Sequence, residues 1–196
     1  MPVVTALRER PRGRVEIELD GALWRLVPTD AVVRAGLVVG RTLDREAART
    51  LGRELRRADA LAVALRALRH RDLSRRRIEE RLDRRGIRAG AQADALAALE
   101  HAGLVDDLRV ATLRAQALAE RGYGDAAIRV ALEAEGLDAA VAGEALAGLE
   151  PEAERARRLL EQRRGGTAGL RWLGARGFDA ATLEDLLPFA DECRPR

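Results

Sequence analysis

The spacing of apolar positions changes once along the chain, near residue 42. Before that point the period is two. Val15, Ile17 and Leu19 alternate with Arg14, Glu16 and Glu18, and Leu23-Trp24-Arg25-Leu26-Val27 follows Asp20-Gly21. Alternation marks half-buried strands, and Asp-Gly suits a tight turn whose central residues take positive φ, so a β-hairpin is predicted. Residues 3–8 supply a third strand. Pro28 closes the region, a short helix is expected over 30–34 with a stop near Gly36, and the whole N-terminal element spans 1–41.

After Thr42 the period is 3.6. Ala47, Leu51 and Leu55, then Leu61, Leu65 and Leu68, mark one apolar side of a long helix, or of two helices meeting near Asp59; residues 42–57 are read as a connecting helix. Further helices are expected over 75–85, 125–135 and 168–176. Ser74 is the candidate N-cap of the first, and the three end in Gly86-Ile87, Gly136-Leu137 and Gly177-Phe178. A glycine after the last turn followed by a large apolar residue is the signature of a Schellman stop, in which the glycine turns left-handed and the next side chain packs back on the helix.

Ile78 and Leu82 stand eight and four residues before Gly86, and Ile128 and Leu132 stand likewise before Gly136; before Gly177 only Leu173 matches. The third copy is degenerate. The 50 and 41 residues between these glycines leave room for three short helices per unit. Units are assigned at 58–104, 105–150 and 151–189, with a tail at 190–196; Gly103-Leu104 closes the first and Pro151 opens the third. The expected fold is mainly α: tandem three-helix repeats in an elongated, curved array, with a small N-terminal three-strand element.

Composition adds a warning and a pattern. All 35 basic residues are Arg, with no Lys or Asn, a skew that discounts arginine richness as a nucleic-acid signal in itself. Its distribution says more. Residues 53–88 carry thirteen Arg against six acids, whereas 89–151 carry four against eleven, within a chain of net charge +3. Such asymmetry suits a polyanion or an oriented protein partner. A lone Cys193 forms no internal disulfide, and no long uncharged apolar run occurs, so a monomeric cytoplasmic protein is expected, off the membrane.

Catalytic constellations are weak. His70 and His101 are far apart with no ligand-type neighbours at metal spacing, and each lies near a helix C-terminus, where a cation is favourable. Gly122-Tyr123-Gly124 lacks the strand and third glycine of a dinucleotide loop and reads as an interhelical turn. Asp106-Asp107 reads as a helix cap plus an arginine partner. No cofactor and no enzymatic role are expected. The notable surface is the helix over 75–85. With Ile78 and Leu82 inward, Arg77, Arg81, Arg84 and Arg88 form a cationic stripe, although like charges at i,i+4 cost ~0.2–0.5 kcal/mol per pair. Arg69, Arg71, Arg76 and Arg85 flank it, and together these eight are the candidate contacts to DNA or an acidic partner, salt-sensitive and without strong sequence preference. A helical DNA-binding module or transcription regulator is the competing reading.

These residues resemble the RecX family of RecA regulators. The stretch from Ala64-Leu65-Arg66-Ala67-Leu68 through Ser74, Ile78, Leu82 and Gly86-Ile87 is similar to the family's first repeat. Leu99-Glu100-His101-Ala102-Gly103-Leu104-Val105-Asp106-Asp107-Leu108-Arg109-Val110-Ala111 resembles its Leu-x-x-x-Gly-Leu-(Ile/Val)-Asp-Asp-x-Arg-Phe-Ala segment, with Val110 in place of Phe. Gly122-Tyr123-Gly124, Ile128, Leu132, Gly136-Leu137, Leu173 and Gly177-Phe178 match further positions, so the likeness covers residues 58–189. The resemblance implies a non-enzymatic modulator of tandem three-helix repeats that binds RecA filaments on DNA and inhibits their ATPase, strand-exchange and co-protease functions.

Overall fold

The computed structural model describes residues 1–163 and 166–192. Cys193 and the end of the assigned tail lie outside them. Strands β1 (Val4–Arg10), β2 (Arg14–Leu19) and β3 (Ala22–Pro28) form an antiparallel sheet in the order β1-β2-β3. Asp20 and Gly21 take φ of 49° and 83°, the turn that Asp-Gly favours. The other hairpin turns through Arg12 and Gly13, at 66° and 64°, where the period-two pattern gives no mark. One sheet face buries Val4, Val15, Ile17 and Val27 with Val32, Leu37, Leu43, Ala47 and Leu51. Each such side chain removed from water contributes about 1.5–3 kcal/mol.

Helix α1 (Thr29–Arg34) is followed by α2 (Arg45–Leu68), a single helix of 24 residues with no break near Asp59. Asp44 starts it by accepting the Ala47 N–H at 2.7 Å. Its first half covers the sheet through Ala47 and Leu51, and α2 also packs on α4 (Ala89–His101). Ala60 and Ala64, one turn apart and fully buried, give α2 a flat face there. Between α2 and α4 in sequence lies α3 (Arg75–Arg84), anchored by Ile78 and Leu82.

The chain forms two compact units. The first comprises Met1–Arg71 and Ile78–Leu104; the second comprises Asp72–Arg77 and the chain from Val105 onward. In the second, α5 (Asp107–Glu120), α6 (Asp125–Ala134) and α7 (Ala139–Ala147) enclose Ala111, Ala115, Ile128, Leu132, Leu137 and Ala142. Helices α8 (Glu152–Gln162), α9 (Gly166–Ala175), α10 (Ala180–Asp185) and α11 (Leu187–Glu192) enclose a second core around Ala156, Leu160, Leu173 and Phe178.

The helix ends share one geometry. Gly86, Gly136 and Gly177 take φ of 68°, 82° and 80°, and the N–H groups of Ile87, Leu137 and Phe178 reach back to the carbonyls of Leu82, Leu132 and Leu173 at 3.1, 3.2 and 3.2 Å. This is the six-to-one bond of a Schellman stop. Eight residues before Gly177, where the other two copies have Ile, stands Gly169. A Cβ there would press on Cδ1 of Leu160, so the missing side chain's space is filled from α8.

Candidate polyanion interface

Helix α2 ends in Arg66, Ala67 and Leu68, and its last turn lies beside the second half of α3. Together they form an open groove of about 410 Å³ lined by Val63, Arg66, Ala67, His70, Arg81, Arg84 and Arg85. Among the described residues, four guanidiniums and an imidazole line it, with no carboxylate. Arg84 is held in place by its Nε, which donates to the Glu80 carbonyl at 3.2 Å. With Ile78 and Leu82 buried, helical periodicity turns Arg84 outward and sets Arg81 on the flank of α3, and Arg85, just past the helix end, is exposed. The arrangement is that of a cleft lined by one sign of charge, which concentrates counter-ions and suits phosphate or carboxylate ligands.

The expected stripe is divided. Arg77 donates its Nη2 to the Ala134 carbonyl at 2.8 Å and lies 3.6 Å from the Glu135 carboxylate, so it fastens the start of α3 to the end of α6. Arg76 lays its stem against Gly136, where a Cβ would meet the Arg76 Cβ and Cγ at 2.9 Å. Arg88 precedes α4 and lines a separate recess with Arg53, Arg56 and Asp94. Arg69 and Arg71 are exposed just after α2. Of the eight arginines singled out in the sequence, the groove gathers Arg81, Arg84 and Arg85 and adds Arg66 and His70. Those two lie one turn apart at the end of an Arg-rich helix, which was the available signal.

The remaining motif residues build joints. Ser74 Oγ accepts the Arg77 N–H at 3.3 Å and donates to the Glu135 carbonyl at 2.6 Å. Asp106 caps α5 by accepting the Arg109 N–H at 2.9 Å, and its other oxygen lies 3.6 Å from the Arg109 guanidinium. The expected cap and arginine partner thus both fall to Asp106, and Asp107 caps α3, accepting the Arg75 N–H at 2.7 Å. The Gly122-Tyr123-Gly124 turn docks on the α9–α10 turn, with the N–H groups of Gly124 and Ala126 donating to the carbonyls of Arg176 and Gly177 at 2.9 and 3.1 Å. A Cβ on Gly124 would strike the Gly177–Phe178 backbone.

Sequence reasoning missed Arg155. Its side chain is 4% exposed and makes three contacts: Nε to the Glu150 carbonyl at 2.9 Å, Nη1 to the Tyr123 carbonyl at 3.0 Å, and Nη2 to the Asp125 carboxylate. Nearby, the hydrogen bond from Arg158 holds the Glu150 carboxyl below its usual range, and Arg10 does the same to Glu16 on the sheet. Among the described residues, no group of His, Cys, Asp and Glu is placed to hold a metal ion, and no helix is long and apolar enough to cross a membrane.

No protein-family model matches the chain. Curated relatives do. It is 31% identical over 143 residues to regulatory protein RecX of Acidithiobacillus ferrooxidans, covering 67% of this chain and 90% of that one. It is 32% identical over 158 residues to regulatory protein RecX of Xanthomonas oryzae pv. oryzae, covering 73% and 98%. A crystal structure of a regulatory protein RecX superposes with a TM-score of 0.80 at 21% identity, over 94% of this chain and 98% of that one. The crystal structure of RecX from Lactobacillus salivarius gives 0.62 at 17% identity, over 70% and 97%. The groove, the glycine-stopped helices and their joints are thus features of a member of the RecX family of regulatory proteins, to which this chain belongs.

Proposed function

We propose that this protein regulates the RecA recombinase by binding RecA filaments on DNA, acting through binding and not catalysis, and that it suppresses ATP hydrolysis, strand exchange and co-protease function. Family membership supports the regulatory role. The observation that carries the mode of action is the groove of Val63, Arg66, Ala67, His70, Arg81, Arg84 and Arg85, whose four guanidiniums fit the phosphates of filament-bound DNA. Contacts of this kind fix position without reading sequence, so binding is expected to depend steeply on salt and little on base composition.

The test is DNA-dependent ATP hydrolysis by RecA from the same source, at fixed single-stranded DNA, with this protein titrated in. Inhibition at well below one molecule per RecA protomer is expected. The variant Arg66→Gln/Arg81→Gln/Arg84→Gln/Arg85→Gln removes four phosphate contacts and should flatten the log–log salt dependence of single-strand binding by about 3. Folded protein without effect even in excess would set the RecA reading aside; DNA binding retained in that case would favour the helical DNA-binding module.

A further inference from the structure

A second cationic feature lies wholly within the second unit, apart from the groove. Arg163, at the end of α8, places its guanidinium carbon 3.7 Å from the ring centroid of Trp172 on α9. Arg176 lies 4.9 Å from Trp172 and 4.7 Å from the Tyr123 ring, and Arg121 lies 5.6 Å from Tyr123. The result is a continuous stack in the order Arg163, Trp172, Arg176, Tyr123, Arg121. Arg176 is fixed further by Nη1, which donates to the Arg121 carbonyl at 3.0 Å. Gly122, at φ 79°, brings the turn against the outer edge of Trp172, which a Cβ would approach to 3.5 Å.

Three features of the stack point to a ligand. None of its guanidiniums has a carboxylate within ion-pair distance among the described side chains, whereas Arg155 and Arg158 of α8 have Asp125 and Glu150. Cation–π stacking holds each planar group in place while leaving in-plane N–H edges to donate, so little freedom is lost when an oxyanion arrives. The rings are already covered by guanidiniums, so a base gains no stacking platform and only the edges are offered. Three cations in a row then match a ligand with one negative charge per unit along a flexible line, which a phosphodiester chain supplies at every residue. An acidic peptide would need carboxylates at matching intervals.

We propose that the Arg163–Trp172–Arg176–Tyr123–Arg121 stack is a binding site for the phosphodiester backbone of a single nucleic-acid strand. The site does not depend on the RecA reading or on the groove. Trp24 and Trp172 are the two tryptophans of the chain, so Trp24→Phe leaves Trp172 as a fluorescence reporter inside the site. In that background, with the four groove arginines also changed to Gln, an oligothymidylate of about 16 nucleotides at low salt should change Trp172 emission in a saturable way. An oligoadenylate of equal length should bind with similar affinity. Adding Arg121→Gln/Arg163→Gln should weaken binding of the end-labelled oligonucleotide, read by anisotropy, by about ten-fold, with the urea midpoint confirming that the variant is folded. Unchanged emission, or equal affinity in the Arg121/Arg163 variant, would overturn the proposal. So would polyglutamate that shifts the emission at lower charge concentration than the oligonucleotide, which would assign the stack to an acidic protein segment.

Discussion

Helices α3 and α6 are seated in the same way, and the two seats differ in how they handle charge. At the first, Ser74 Oγ and Arg77 reach the carbonyls of Glu135 and Ala134, Asp107 caps Arg75, and Arg109 meets Asp72 at 3.4 Å. At the second, the N–H groups of Gly124 and Ala126 reach the carbonyls of Arg176 and Gly177, Glu152 caps Asp125 at 2.6 Å, and Arg155 meets Asp125. In each case the first residue of the helix two places further along the chain supplies the cap: Asp107 of α5 caps α3, and Glu152 of α8 caps α6. The first seat is made by side chains, with Ser74 buried and Arg77 and Arg109 partly exposed; the second adds backbone-to-backbone bonds around a buried cation. Similar connections can therefore keep their topology while exchanging a partly exposed arginine for a buried one.

The sharpest way to break this parallel is at the two arginines. Arg109 is 39% exposed, so its ion pairs are screened and Arg109→Met should cost at most about 1 kcal/mol. Arg155→Met strands the Asp125 carboxylate and leaves the Tyr123 and Glu150 carbonyls without a donor, at a cost of about 4 kcal/mol. Urea midpoints of the two variants measure the difference. Equal losses would mean that the second seat has no special dependence on its buried charge.

The helix stops were legible where one residue type is forced. The left-handed stop admits glycine readily and the residue after it must be apolar, so Gly86-Ile87, Gly136-Leu137 and Gly177-Phe178 declare themselves. The degenerate third copy was not interpretable, because its explanation lies on another helix. In the second unit α5 offers Ala115 and α6 supplies Ile128 to the same core; in the next group α8 supplies Leu160 and α9 recedes to Gly169. Volume has moved across the contact, which no single-helix pattern records. Likewise the groove joins α2 to α3, and only three-dimensional packing adds Arg66 and His70 to Arg81, Arg84 and Arg85.

That exchange is testable. Leu160→Ala should cost about 3 kcal/mol by opening a cavity beside Gly169. Gly169→Ile, which overpacks when made by itself, should restore part of that loss in the double variant, because the pair then matches Ala115 and Ile128. A double-variant loss equal to the sum of the two single losses would show that the positions are not equivalent.

Smaller effects separate the glycines of the two seats. At Gly136 a Cβ meets the Arg76 stem, whose far carbons can swing away but whose Cβ, at 2.9 Å, must shift, so Gly136→Ala should add a modest overpacking cost to the roughly 1–2 kcal/mol of a left-handed alanine. At Gly177 the Cβ lies 2.6 Å from the Ala127 backbone nitrogen, which the helix holds in place. Gly177→Ala should therefore add about 1–3 kcal/mol of overpacking to the same strain. Thermal or urea unfolding of the pair gives the difference, and near-identical midpoints would mean that the second seat is as adjustable as the first.

The smallest effect is a pH dependence at the edge of the second seat. Arg158 donates to Glu150 at 2.6 Å, and this hydrogen bond holds the carboxyl below its ordinary value of 4.5. A carboxyl whose folded value lies below its unfolded one stabilises the fold above the unfolded value and ceases to do so as pH falls through the folded one. The stability difference between the parent protein and Glu150→Gln should therefore stay level from neutral pH to just above 4.5, shrink below it, and narrow at high salt because the pair is solvent-facing. A difference that survives into strong acid would show that Glu150 acts at this seat through shape and hydrogen bonding, with charge secondary, and the contrast between the two seats would then rest on Arg155 and the glycines.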